Sequence, residues 1–216
     1  AEDPVEFNLK GINQVNVHSE IGLTFAASLR SFLRQDPDII LVGEIRDFET
    51  AEIAIKAALT GHLVLSTLHT NDAPSTVNRM INMGVEPFLI ASSTVLVLAQ
   101  RLMRTLCPAC KEEYRPTDAE LVSLGITREE AASIKFYQKR GCPSCNNSGY
   151  KGRVAIYEVM PMSENLRRVV LERGSVLDIK EVARREGLRT LRESAVLKFK
   201  QGITSFEEII RTTFED

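Results

Sequence analysis

Along the first hundred residues, apolar positions switch between two periods. Between Leu23 and Arg34, Ala26, Leu29, Phe32 and Leu33 fall at helical spacing. Asp36-Pro37-Asp38 ends that helix, because the residue before a proline leaves the helical region. The run Ile39-Ile40-Leu41-Val42 predicts a buried parallel strand. Asp47 is placed to cap a second helix through Ala51, Ile55 and Ala58, with Gly61 as its stop. Leu63 to Leu68 predicts a second buried strand, and Asn71-Asp72 opens a third helix that Gly84 ends. Strands joined by helices predict a parallel sheet and an α/β class. The most apolar stretch, Phe88 to Ala99, reads as a buried core helix. It is shorter than the roughly 20 residues a membrane span needs.

Further along, the pattern breaks up. Thr117-x-x-Glu120 and Thr127-x-x-Glu130 predict two short helices opened by capping boxes. Val154 to Met160 predicts a strand. From about Ser163 the chain reads as helical, punctuated by Gly174, Gly187 and Gly202, with Thr204-x-x-Glu207 opening the last helix. The expected division is residues 1–104, 105–153 and 154–216, the last being a strand followed by an all-α region.

Charge adds an exclusion. The net charge of −2, with 26% charged residues, argues against a nucleic-acid binder relying on a broad basic face. The acidic start, Ala1-Glu2-Asp3-Pro4, does not read as a signal peptide, so the chain is expected to be cytoplasmic.

All four cysteines form two pairs, Cys107-x-x-Cys110 and Cys142-x-x-Cys145, separated by 31 residues. Two such knuckles complete a tetrahedral thiolate shell for a structural zinc ion, with no open position for catalysis. A redox-active dithiol is the alternative. A local fold too small to bury a core of its own would need such a staple.

Two further stretches carry candidate chemistry. Asp38 to Asp47 sends an aliphatic strand into Gly43-Glu44-Ile45-Arg46-Asp47, at the strand end where open α/β sheets bind ligands. There Glu44 is suited to polarise a water and Arg46 to face phosphate, although an ordinary charged loop fits the same residues. Leu63 to Leu68 is bracketed by His62 and His69, and parallel strands would put His69 on the same edge as Glu44. Arg30 and Arg34 share a helix face, as a phosphate clamp or a solvated edge. The phosphate-cradling G-x-x-x-x-G-K-[S/T] loop is absent, and the sequence contains no Gly-Lys pair.

Together these stretches resemble the secretion superfamily of motor ATPases, in the branch of type IV pilus extension and type II secretion. Glu2-Asp3-Pro4-Val5-Glu6 is similar to that family's Asp box, Asp38–Asp47 to its Walker B motif, and Thr60–Asn71 to its His box. The cysteine pairs resemble its zinc-binding loop, and the run from Gly187 resembles its C-terminal helical region. The resemblance implies part of a RecA-like core, with the tetracysteine site as an insertion. It implies ATP hydrolysis with Mg2+, with Glu44, Glu2, Glu6 and His69 as catalytic groups. Asp3, Arg46, His62, Arg30 and Arg34 would contact nucleotide, metal or a neighbouring subunit, and zinc would be structural. It further implies a homo-hexamer acting on an inner-membrane platform protein, peripheral to that membrane, with no nucleic acid as partner. The family's Walker A lies upstream of its Asp box, so the chain is expected to be a C-terminal fragment that does not turn over ATP by itself. The rival reading is a zinc-dependent protein- or nucleic-acid-binding module without catalysis.

Overall fold

The computed structural model describes residues 1–213; the final three residues of the expected 154–216 region lie outside the described residues. The elements run α1 (Phe25–Phe32), β1 (Ile39–Val42), α2 (Phe48–Leu59), β2 (Leu63–Ser66), α3 (Ala73–Asn82), α4 (Pro87–Ser93) and β3 (Leu96–Leu106). Then come β4 (Glu112–Tyr114), α5 (Asp118–Ser123), α6 (Arg128–Ala132), β5 (Phe136–Gln138) and β6 (Tyr150–Pro161). Helices α7 (Glu164–Leu171), α8 (Val176–Arg185), α9 (Leu191–Lys200) and α10 (Phe206–Thr212) complete the order. Two compact units result. Residues 1–97 and 161–183 form the first, and residues 98–160 and 184–216 the second. The helices after β6 are therefore divided between the two units.

In the first unit β1 and β2 pair in parallel, with Ile39 opposite Leu63 and Val42 opposite Ser66. Ile40 and Val42 point into a core with Phe25, Leu29, Ile53 and Ala57, contributed by α1 and α2. The expectation that both strands are buried on both faces is corrected. Ile39 is 63% exposed and Leu63 52%, and Leu41 and Leu65 are also exposed. Side chains alternate across a strand, and α1 and α2 cover one face only. The caps follow the sequence reading: Asp47 accepts from the Thr50 N–H and Asp72 from the Ser75 N–H, each at 2.7 Å.

The predicted core helix over Phe88–Ala99 is also corrected. Helix α4 stops at Ser93, Thr94 is extended, and β3 begins at Leu96. The β-branched Thr94, Val95 and Val97 favour extended backbone after Ser92-Ser93. In the same unit Arg167 closes the end of α4, donating to the carbonyls of Ala91 and of Thr94.

In the second unit Leu121, Leu124, Ile126 and Phe136 share a core with Leu191, Phe199 and Ile209. The cysteine region thus does not depend on a core of its own, because α9 and α10 supply the apolar partners. Thr117 and Glu120 form the reciprocal capping box expected at α5. At α6 only Thr127 caps, since Glu130 turns instead to Lys200 at 2.7 Å. The last helix is capped by Ser205, one residue later than expected. Thr204 is drawn away by the Arg104 carbonyl, to which its hydroxyl donates at 2.9 Å. Glu208, wholly buried, then lies between Arg104 and Arg211.

Candidate functional site

Parallel pairing places the C-terminal ends of β1 and β2 at one edge of the first unit. The Ile45 N–H donates to the Thr67 carbonyl at 3.0 Å, and the Thr67 hydroxyl donates to the Gly43 carbonyl at 2.6 Å. These bonds hold the two chain exits side by side beyond the strands. A Cβ at Gly43 would lie 3.2 Å from the Ala1 carbonyl oxygen, so a side chain there would push the Ala1–Glu2 backbone away from β1. The Ala1 amino group donates to the Leu41 carbonyl at 2.8 Å, and the Gly43 N–H donates to the Ala1 carbonyl at 2.8 Å.

The geometry brings Glu44 and His69 together. His69 Nε2 lies 3.0 Å from Glu44 Oε2. The other carboxylate oxygen is held by Arg46, which also lies 3.7 Å from Asp3. The Glu44 side chain is only 13% exposed, whereas that of His69 is 87% exposed. The Arg46 guanidinium beside it, outweighing burial and reinforced by His69, holds the Glu44 carboxyl below the usual carboxylate range. Glu44 is therefore an anion near neutral pH, better suited to accept a hydrogen bond from water and orient it than to act as a strong base.

Other candidates are placed differently. Glu2 accepts from Gln14 Nε2 at 2.9 Å, and Glu6 is exposed. His62 sits at the opposite end of β2, where its Nδ1 lies 3.0 Å from the Ala57 carbonyl and 3.2 Å from the Thr60 hydroxyl. There it closes the end of α2, away from the strand ends that carry Glu44. Arg30 pairs with Glu49 in the first turn of α2, and Arg34 donates to the Arg30 carbonyl at 2.9 Å. Both arginines thus engage partners within the helices in this structure, as on a solvated edge. A cleft of about 320 Å3 beside His69 is lined by Asn78, Arg79 and Asn82 of α3. Sequence reading passed over these residues, although their spacing from Ser75 places all of them on one helix face.

The second site is the cysteine cluster. Its four sulfurs lie within 4.8 Å of one another, and all four thiols are free. Cys107–Cys142, Cys110–Cys145 and Cys142–Cys145 are separated by 3.9, 3.8 and 3.7 Å. A disulfide needs about 2.05 Å. A tetrahedron with Zn–S bonds of about 2.3 Å has edges of about 3.8 Å, so the donor set fits a structural zinc ion. The Cys142 and Gly149 N–H groups donate to Cys145 Sγ at 3.2 and 3.3 Å, an arrangement that favours thiolate. The Cys107 N–H donates to the Gly149 carbonyl at 2.9 Å and ties the two knuckles together.

Comparison with known proteins adds lineage to this geometry. A family model described as "Type II/IV secretion system protein" matches residues 1–211. The chain is 57% identical to the type IV pilus assembly ATPase PilB of Myxococcus xanthus, over 100% of its own length and 38% of that protein. It is 48% identical to the type II secretion system protein E of Pseudomonas aeruginosa, over 100% of its length and 42% of that protein. It therefore spans about two fifths of the length of these curated relatives. The fold is similar to that of the pilus retraction motor PilT with bound ADP, at a TM-score of 0.67 and 26% identity, covering 97% of this chain and 50% of PilT. The Legionella pneumophila ATPase DotB is also similar, with a TM-score of 0.64, 26% identity, and coverage of 96% of this chain and 48% of DotB. Matched by that model over residues 1–211, the chain belongs to the type II/IV secretion system protein family.

Proposed function

We propose that the intact protein is a motor ATPase that hydrolyses ATP to drive type IV pilus assembly, with type II secretion as the related alternative. Identity is higher to the pilus assembly ATPase than to the type II secretion protein, 57% against 48%. The observation that carries the reading is the 3.0 Å contact between Glu44 and His69 at the shared end of two parallel strands. A pure zinc-dependent binding module has no need for that pair.

In this reading Glu44 orients the attacking water at the terminal phosphate, and phosphoryl transfer is achieved by positioning and charge stabilisation. His69, exposed and hydrogen-bonded to Glu44, senses that phosphate. Arg46 exchanges its carboxylate partners for phosphate oxygens, which frees an oxygen of Glu44 for the water. Asp3, Glu2 and Glu6 supply carboxylates for Mg2+ and its waters, where the ion would neutralise developing phosphate charge. His62 supports the strand from its far end, and Arg30 and Arg34 are candidates to face a neighbouring subunit. Cys107, Cys110, Cys142 and Cys145 hold Zn2+ as a structural staple. The intact protein acts as a cytoplasmic homo-hexamer at the inner membrane, on a platform protein that adds pilin subunits. The 216-residue chain by itself lacks the phosphate-cradling loop and does not turn over ATP.

The test is Glu44→Gln in the intact protein. Loss of water orientation lowers kcat by about 10²- to 10⁴-fold, while nucleotide still binds. A variant that keeps normal turnover refutes the assignment.

A further inference from the structure

Helix α3 turns its apolar side, Ala73, Val77 and Met80, into the core of the first unit. The side formed by Ser75, Asn78, Arg79 and Asn82 lines the cleft of about 320 Å3 that begins at His69. Positions three, four and seven apart share one helix face. Among the described residues no aspartate or glutamate lines the cleft; its polar groups are hydroxyls, carboxamides, an imidazole and one guanidinium. Arg30, Arg46 and Arg128 each hold a carboxylate, whereas Arg34 and Arg167 donate to backbone carbonyls. Arg79 has no ion pair among the described residues, so its planar fork of donors remains available. The nearest acid along the chain, Asp72, is spent on the helix cap, accepting from the Ser75 N–H at 2.7 Å.

His69 joins this cleft to the hydrolytic edge. Its Nε2 is taken by Glu44, leaving Nδ1 as the ring's second polar atom. A cluster of neutral donors around a free guanidinium, with no competing carboxylate, selects a tetrahedral oxyanion. The volume lies at the small end of ligand pockets. It suits a single phosphate with its waters better than a whole nucleotide.

We infer that this cleft is an orthophosphate site in which Arg79, Asn78 and Asn82 receive the phosphate released beside His69. The inference rests on the hydrolytic reading above and adds an exit station to it. Arg79 binds product here and is not a group that attacks or protonates it. Once the phosphate has passed into the cleft, Arg46 returns to Glu44, the pairing seen in this structure.

The experiment titrates the 216-residue chain with sodium orthophosphate at fixed pH and ionic strength, following the ring signals of its three histidines by NMR. The His69 signals are expected to move saturably, while those of His18 and His62 stay in place and report an intact fold. Arg79→Gln weakens binding by about tenfold or more, the loss of a charge-assisted hydrogen bond. Asn82→Asp, which adds the missing carboxylate, weakens it as well. The inference is overturned if orthophosphate leaves His69 unmoved, if Arg79→Gln binds as tightly as the parent, or if only ATP moves His69. Such a failure leaves the Glu44→Gln turnover test untouched, because that test reads chemistry in the intact protein.

Discussion

Replacing Glu208 with glutamine removes a wholly buried carboxylate that Arg104 and Arg211 share. Its oxygens accept from the Arg104 backbone N–H at 2.9 Å, from Arg104 Nη2 at 2.7 Å and from Arg211 Nε at 2.9 Å. Burial alone would raise its pKa, but the two guanidinium groups prevail and hold it down to about 2, from an ordinary 4.5. At about 1.4 kcal/mol per pH unit, that displacement amounts to about 3 kcal/mol of folding stability. Breaking a buried ion pair costs roughly 3–5 kcal/mol. The arginine side chains are 43% and 56% exposed, which points to the low end of that range. Glutamine keeps the shape and one acceptor, so Glu208→Gln is expected to cost about 2–3 kcal/mol. The readout is specific, because all four tyrosines, Tyr114, Tyr137, Tyr150 and Tyr157, belong to the second unit and the chain has no tryptophan. Tyrosine fluorescence in urea should show the midpoint of the variant falling by about 1 M or more at pH 7. The sign of the pH dependence follows from the lowered pKa. The contribution is complete above 4.5 and disappears as pH falls through about 2, so parent and variant should converge across that window. Equal midpoints at pH 7, or a gap that persists at pH 2, would refute the reasoning.

Two further outcomes concern the cysteine region. Metal analysis should find one zinc per chain, and removing it with a chelator should lower the stability reported by the tyrosines while the first unit keeps its helical signal. A Cys110→Ser variant that retains full zinc content would contradict the tetrahedral assignment. Gly149 has φ +76°, and a Cβ there would lie 2.6 Å from Lys139 Cβ. Gly149→Ala is therefore expected to cost about 1–3 kcal/mol and to weaken zinc retention, which denaturation with and without chelator would measure.

The linear order of residues determined the local events. Aliphatic runs beside proline and glycine marked β1 and β2, Asp47 and Asp72 announced their helices, and paired Cys-x-x-Cys spacing announced the sulfur cluster, because each depends on neighbours a few residues away. Register alone carried Glu44 and His69 to one edge, since parallel strands leave a sheet in the same direction. What one-dimensional pattern did not contain was competition from distant partners. Glu130 was claimed by Lys200 and Thr204 by the Arg104 carbonyl, so caps that fit locally were reassigned in space. The exposed face of β1 and β2 and the core that α5 shares with α9 also depend on which element covers which side. Packing across long stretches of chain decides that, and hydrophobic period cannot, because an aliphatic strand reads alike whether one face or both are covered.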